Sequence, residues 1–123
     1  MAFETLQRQQ FINLTTYRKT GQPVVTTVWF AQEGDRIVGT TQAQSGKIKR
    51  LRHTSKVSVA PSSFDGKVLG EALSGVGRVL SAEEAPIAEA ALRSKYGPQY
   101  DQVTANSSRA TRVFWEVTPQ TAN

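Results

Sequence analysis

Residues 40–52 read Thr-Thr-Gln-Ala-Gln-Ser-Gly-Lys-Ile-Lys-Arg-Leu-Arg, and no other stretch of the chain gathers as many groups able to bind an anion. Ser45 is a favourable helix N-cap. The helix it starts exposes free backbone N–H groups at the positive end of its dipole, a combination that attracts phosphate. Gly46 leaves room for a ligand to approach the backbone. At helical spacing Lys47 and Arg50 share one face, while Ile48 and Leu51 form a buried seam. Two cations thus converge on a positive helix end, which favours one bound phosphate over a diffuse field; a solvated basic helix face is the alternative.

A second feature is Val25-Thr26-Thr27-Val28-Trp29-Phe30. In a strand, Thr27 and Trp29 face one side and Thr26 and Val28 the other, so either pair could offer hydroxyl and apolar surface to a planar ring. The same residue types also suit a core strand, and the pair Phe114 and Trp115 carries the same ambiguity.

Charge isolates the first feature. The net charge is +5, with 15 basic and 10 acidic residues. Between Arg36 and Phe64 stand Arg36, Lys47, Lys49, Arg50, Arg52 and Lys56 with no acid among them, so the whole positive excess belongs to that segment and predicts an anionic partner. The absence of cysteine removes disulfides, thiolate nucleophiles and Cys-ligated metals, and one histidine, His53, gives little support to a multi-His metal site. His53 reads as a solvated residue at the end of the basic helix. No apolar run approaches the ~18 residues of a membrane helix, and the N-terminus has no apolar signal core. The expectation is a soluble, cytoplasmic chain, with 123 residues forming one domain over 1–123.

The elements that must position these residues are mostly strands. Residues 3–10 suggest a short amphipathic helix. Residues 11–18 form a strand with Phe11, Asn13, Thr15 and Tyr17 on one face, and a turn over 19–23 leads into a strand over 24–31. A hairpin at 33–36 returns over 37–41. A helix over 45–52, a strand over 56–60 and a long run over 68–80 follow, the last bent by Gly70, Gly75 and Gly77. The Ser81 and Glu84 spacing of a capping box opens a helix that begins near Glu84, because Pro86 is tolerated only in the first turn, and ends at Gly97-Pro98. The polar stretch 99–108 reads as loop, and 109–117 as the last strand. About six antiparallel strands with two or three short helices, in no βαβ rhythm, predict a mainly β (α+β) antiparallel barrel, closed or half closed.

The order GQPVVTTVWFAQEGDR, TTQAQSGKIKRLR, KVSVAP, DGK, KYG and RVFWEVTP resembles the FMN-binding split β-barrel superfamily of pyridoxamine 5′-phosphate oxidase-like proteins. Within it the chain is most similar to the small branch of deazaflavin (coenzyme F-420)-dependent reductases. The likeness spans about 11–119. It implies a homodimeric oxidoreductase with a flavin or deazaflavin in a groove at the subunit interface. It also implies phosphate contacts from Ser45, Gly46, Lys47 and Arg50, with Lys49 beside them; a ring lined by Thr26, Thr27, Val28 and Trp29; and Ala60, Pro61 and Ser62 along the same groove. The paired arginines of flavin-binding oxidases and the residues that grip vitamin B6 are not evident. The resemblance therefore implies coenzyme F-420, with FMN as the alternative, acting on a small organic molecule, and not vitamin B6 oxidation. The oligoglutamate tail of such a deazaflavin would suit Lys49, Arg52 and Lys56.

Hydride transfer needs no protein acid or nucleophile, and no catalytic residue is assigned. Thr27 or Tyr17 is a candidate to donate a hydrogen bond to a developing enolate, whereas Tyr96 and Tyr100 read as packing or capping residues. A cofactor or tetrapyrrole carrier without turnover fits the same fold. Binding of single-stranded nucleic acid is disfavoured, because the cations occupy one helix and its flanks while Trp29 and Phe30 lie in a run too apolar for a wet stacking platform. With 38% apolar residues, a second copy is expected to cover the 24–30 and 112–117 strands.

Overall fold

The computed structural model describes residues 3, 6, 7, 9–104 and 112–120. Seven strands, β1 (Phe11–Tyr17), β2 (Pro23–Trp29), β3 (Ala31–Glu33), β4 (Arg36–Gln42), β5 (Lys56–Ser62), β6 (Leu73–Val79) and β7 (Arg112–Pro119), accompany three helices, α1 (Gly46–His53), α2 (Ala85–Tyr96) and α3 (Pro98–Thr104). The strands form one antiparallel sheet in the order β2-β1-β5-β6-β7-β4-β3. β2 and β3 are neighbours in sequence and lie at opposite ends of that sheet, with Phe30 alone between them. The sheet must therefore curl until its two edges approach, which makes the half-barrel of the split-barrel type.

Period-2 alternation sorts the side chains onto two cores. Ile12, Leu14, Ile37, Val57, Val59, Trp115 and Val117 fill the inside, where Ile48 and Leu51 of α1 and the buried Phe3 and Leu6 close it. Gly39 faces Trp115 across β4 and β7, and a Cβ there would overlap the indole; Gly77 similarly makes room for Leu51 and Val57. On the outside of β3, β4 and β7, Ala31, Val38 and Phe114 pack beneath Ala88, Leu92, Tyr96 and Tyr100. Helices thus cover one half of the barrel wall. Among the described residues, no helix packs on the outer face of the half formed by β2, β1 and β5.

Several expectations shift. The single strand over 24–31 is two strands, because Phe30 breaks the ladder at the crossover. The long run over 68–80 is a strand only from Leu73, and the preceding residues fold back through a Ser62–Val68 bridge. Strand β5 extends through Pro61 and Ser62. The polar stretch contains α3, which Pro98 starts. In residues 3–10 the described positions make single turns, Leu6 N–H to the Phe3 carbonyl and Gln9 N–H to the Leu6 carbonyl, and positions 4, 5 and 8 lie outside the described residues. The expected strand start at 109–111 also lies outside them. The capping box forms between Ser81 and Glu84, whose backbone N–H groups each bond the other's side chain, one turn ahead of α2.

Tyr96 holds the crossover. The Phe30 N–H donates to the Tyr96 hydroxyl at 3.1 Å. The hydroxyl proton is shared between the carbonyls of Gln10 at 2.7 Å and Phe30 at 2.9 Å. Its ring stacks on Trp29 at 4.0 Å and 5°. Burial pushes this phenol from 10.0 up to about 12. The folded state therefore keeps a proton that the unfolded chain has lost between those values, and the stabilisation present below pH 10 disappears as pH rises through about 12. Tyr96→Phe should lower stability by about 1–3 kcal/mol, since the Phe30 N–H is left buried and unpaired. It should also flatten the alkaline decline, leaving the share carried by Tyr100, which is likewise pushed up to about 12. Urea unfolding of both proteins at neutral and alkaline pH measures each effect.

Candidate functional site

The start of α1 assembles as its residue types require. Ser45 is extended (φ −66, ψ 153), and its Oγ accepts from the Ile48 N–H at 3.3 Å. The N–H groups of Gly46 and Lys47 have no intrahelical acceptor. Arg50 folds back toward this end: its guanidinium would lie 2.7 Å from a Cβ on Gly46, so a larger residue there would make the arginine shift. Arg50 Nε donates to Thr16 Oγ1 at 2.6 Å, tying α1 to the inner face of β1. Burial, and then the neighbouring Arg18, push Arg50 below its ordinary value; burial, and then Arg50, do the same to Lys47. Arg50 thus stands between two other cations, Arg18 and Lys47, at a helix start that holds no acid in its first turn.

Beyond Arg18 lies a groove of about 370 Å³ whose lining includes Tyr17, Arg18, Lys19, His53 and Lys56 and no acid. Lys56 Nζ sits 4.9 Å above the Tyr17 ring, which engages the phenol that was a candidate donor. Lys49 and Arg52 are exposed on another side of α1, and Arg52 lines a different groove together with Glu84.

β2 divides its candidate residues between two faces. Thr26 and Val28 point inward, Thr26 Oγ1 reaching the Leu14 carbonyl at 3.4 Å and Val28 packing on the inner core. Thr27 points outward in register with Asn13 and Ala60, and Trp29 in register with Phe11 and Ser62. One face of the Trp29 ring is already taken by Tyr96. Pro61 lies opposite Ile12 and against Gly70. Ser62 is 2% exposed, and its Oγ has no hydrogen-bond partner.

Thr27 does not carry a free proton for a substrate: its hydroxyl donates to Asn13 Oδ1 at 2.7 Å, and Asn13 Nδ2 donates to the Gly66 carbonyl at 2.8 Å. Phe114 and Trp115 resolve as core, 7% and 0% exposed. The structure therefore unites Ser45, Gly46, Lys47 and Arg50 at one helix end, and Thr27, Trp29, Ala60 and Ser62 on the outer wall. Thr26, Val28, Lys49 and Pro61 join neither group.

Arg18, Thr16 and Asn13 were missed. Arg18 lies outside the acid-free segment that the charge pattern singled out, and it joins the cluster only because β1 ends beside α1. The period-2 pattern gives the two faces of each strand without saying which is outward; only the pairing register shows that Asn13 and Thr27 share the outer face and touch.

The pyridoxamine 5′-phosphate oxidase family model matches residues 2–123. No curated protein sequence matches the chain. Among solved structures, an FAD-binding protein of Mesorhizobium loti superposes with a TM-score of 0.74 at 16% identity, covering 98% of this chain and 88% of that one. The heme storage protein HutZ of Vibrio cholerae superposes at 0.70 and 12%, covering 99% and 93%. An F420 reductase superposes at 0.62 and 20%, covering 97% and 93%. With its antiparallel half-barrel and a family match that runs through nearly every residue, the chain belongs to the pyridoxamine 5′-phosphate oxidase family of split barrels.

Proposed function

We propose that this chain is an oxidoreductase that binds coenzyme F-420 and serves hydride transfer to a small organic acceptor. The carrying observation is the start of α1, where Ser45, Gly46, Lys47 and Arg50, joined by Arg18, form a cationic cradle in which burial and a neighbouring cation lower the proton affinity of Lys47 and Arg50. A dianionic phosphate relieves that repulsion and fills the open N–H groups of Gly46 and Lys47. The bound deazaflavin would supply the hydride chemistry. The protein's part is to anchor the phosphate, present the wall of Thr27, Trp29 and Ala60 to the ring, and keep its polar groups paired while doing so.

The acidic tail of the deazaflavin finds its complement in the groove of Arg18, Lys19 and Lys56, with Lys49 and Arg52 contributing only as distant exposed charges. FMN shares the ring and phosphate terms, and the FAD-binding neighbour supports it as the alternative. The heme-storing neighbour supports a tetrapyrrole carrier, for which His53 is the one histidine available.

The cradle and the ring wall lie on different sides of β2, so one copy of the chain does not wrap a whole cofactor, and a homodimer accounts for this. The helix-free half of the barrel exposes Val25, Leu69 and, at 78%, Phe64, the apolar residues that a second copy would cover. The original reason for a partner narrows accordingly. β7 is already buried by α2, and β2 is the strand left open.

Two variants, a salt series and sedimentation test the reading. Lys47→Ala should weaken binding of coenzyme F-420 by about 1.5–3 kcal/mol, as loss of a hydrogen bond to a charged group does, with an unchanged melting temperature. Arg50→Ala should lower affinity and melting temperature together, because Thr16 loses its partner. Calorimetric titration beside thermal melts separates the two, and unchanged affinity in both variants refutes the cradle.

Coenzyme F-420 should bind more tightly than FMN at low salt, each exposed tail contact adding about 0.2–1 kcal/mol. The gap should close toward 1 M salt, where the Debye length is about 3 Å. FMN binding more tightly at every salt concentration, or a heme spectrum in the purified protein, selects the corresponding alternative. Sedimentation should give a dimer that Phe64→Ser weakens; a stable monomer with full cofactor affinity counts against the shared groove.

A further inference from the structure

The outer wall offers a ligand one hydroxyl whose polarity is decided by its neighbours. The Gly66 carbonyl can only accept, so the Asn13 group 2.8 Å from it must be the NH₂. The carboxamide oxygen of Asn13 then faces Thr27 at 2.7 Å, and because that oxygen also can only accept, the Thr27 proton is committed to it. Turning the amide over would set oxygen against oxygen at the Gly66 contact. Asn13 is 7% exposed, which leaves little room for water to repair such a clash.

Gly66 locks the arrangement. It sits at φ +90°, a conformation that favours glycine, and a Cβ there would come within 3.1 Å of Thr27 Oγ1. The turn that carries it is closed by Ser63 N–H to the Lys67 carbonyl at 2.9 Å and Gly66 N–H to the Ser63 carbonyl at 3.0 Å. Thr27 itself is exposed and has no proton to give, only lone pairs.

We propose that Asn13 makes Thr27 an obligate hydrogen-bond acceptor, so that the ring group meeting Thr27 is a donor, the imide N–H of a flavin-type ring, and not either carbonyl that flanks it. The inference rests on the cofactor reading above and adds to it which edge of the ring faces β2. The pyrimidine edge of these rings alternates acceptor, donor, acceptor. Only the central position matches Thr27. A ring shifted by one position would set a carbonyl oxygen against the Thr27 oxygen and lose the bond. Thr27 is on this account a positioning residue for the ring.

The test uses the tighter-binding of coenzyme F-420 and FMN, together with its N3-methyl derivative, titrated into the wild-type protein, Thr27→Val and Thr27→Ser. Methylation should weaken wild-type binding about tenfold, the loss of one hydrogen bond with its acceptor left unpaired. Thr27→Val should weaken the parent ring by a similar factor, and methylation should then cost nothing further. Thr27→Ser, which keeps the hydroxyl, should behave as wild type. Valine fills the space of threonine, so a purely steric penalty from the methyl group would persist in Thr27→Val, and its persistence overturns the acceptor role. Binding by the wild type that is indifferent to methylation overturns it as well. If neither coenzyme F-420 nor FMN binds the wild type, the cofactor reading falls and this proposal falls with it.

Discussion

One residue, Phe30, joins the two ends of the sheet, and the Tyr96 hydroxyl is what satisfies its backbone there. A strand that leaves one edge and resumes at the other must break its ladder, exposing an N–H and a carbonyl inside the protein where water is scarce. Tyr96 takes both. Its ring meanwhile stacks on Trp29, and the Lys95 ammonium sits 3.5 Å above the Phe30 ring, whose π face offsets part of the burial that pushes this lysine down to about 8. Gly97, at φ +59°, ends α2 immediately afterwards, so the last turn of that helix delivers Lys95 and Tyr96 to the crossover. Curling, closure and the placement of α2 are thus one event.

That closure also divides the surface. Docking α2 at the crossover buries the outside of β3, β4 and β7, and leaves β2, β1 and β5 with the Ser63–Lys67 turn as their cover. Every candidate ligand group lies on the uncovered half or at the barrel mouth that α1 closes. The charges follow the same partition. On the α2 side, Arg36, Arg78 and Arg93 are paired with Glu33, Glu116, Glu84 and Asp101 in a ladder of surface ion pairs. At the start of α1, Arg50 has Arg18 and Lys47 as charged neighbours, and the first turn holds no acid. Cations are thus paired in one region and crowded in another, and the crowded region is the one the proposed anion site occupies.

β2 illustrates why a strand read as one ligand-lining segment divides in three dimensions. Successive side chains point to opposite faces, so Thr26 and Thr27 cannot both meet one ring. Thr26 serves the interior, where it contacts the Leu14 carbonyl. Thr27 serves the wall, in a relay with Asn13 and Gly66 that joins three segments of chain. Ser62, buried beside the same wall, has no hydrogen-bond partner for its Oγ among the described residues and keeps unspent hydrogen-bonding capacity.

Local chemistry was legible in the residues alone. Alternation set Ile12 and Leu14 on the opposite face from Asn13, and Thr26 and Val28 opposite Thr27; Ser45 capped its helix; Pro86 confined the start of α2 and Gly97 its end; and the acid-free run between Arg36 and Phe64 pointed to α1 as an anion site. Each of these follows from rules that act over one to four residues. The split of residues 24–31 into β2 and β3, the helix α3 in a stretch of polar residues, the return of 62–68 onto the sheet, the addition of Arg18 and Thr16 to the cradle and the pairing of Asn13 with Thr27 did not follow from them. These depend on which strands become neighbours. A strand's own residues specify its two faces, but its register and its place in the sheet are set by the closure of the whole barrel, which only the tertiary structure decides.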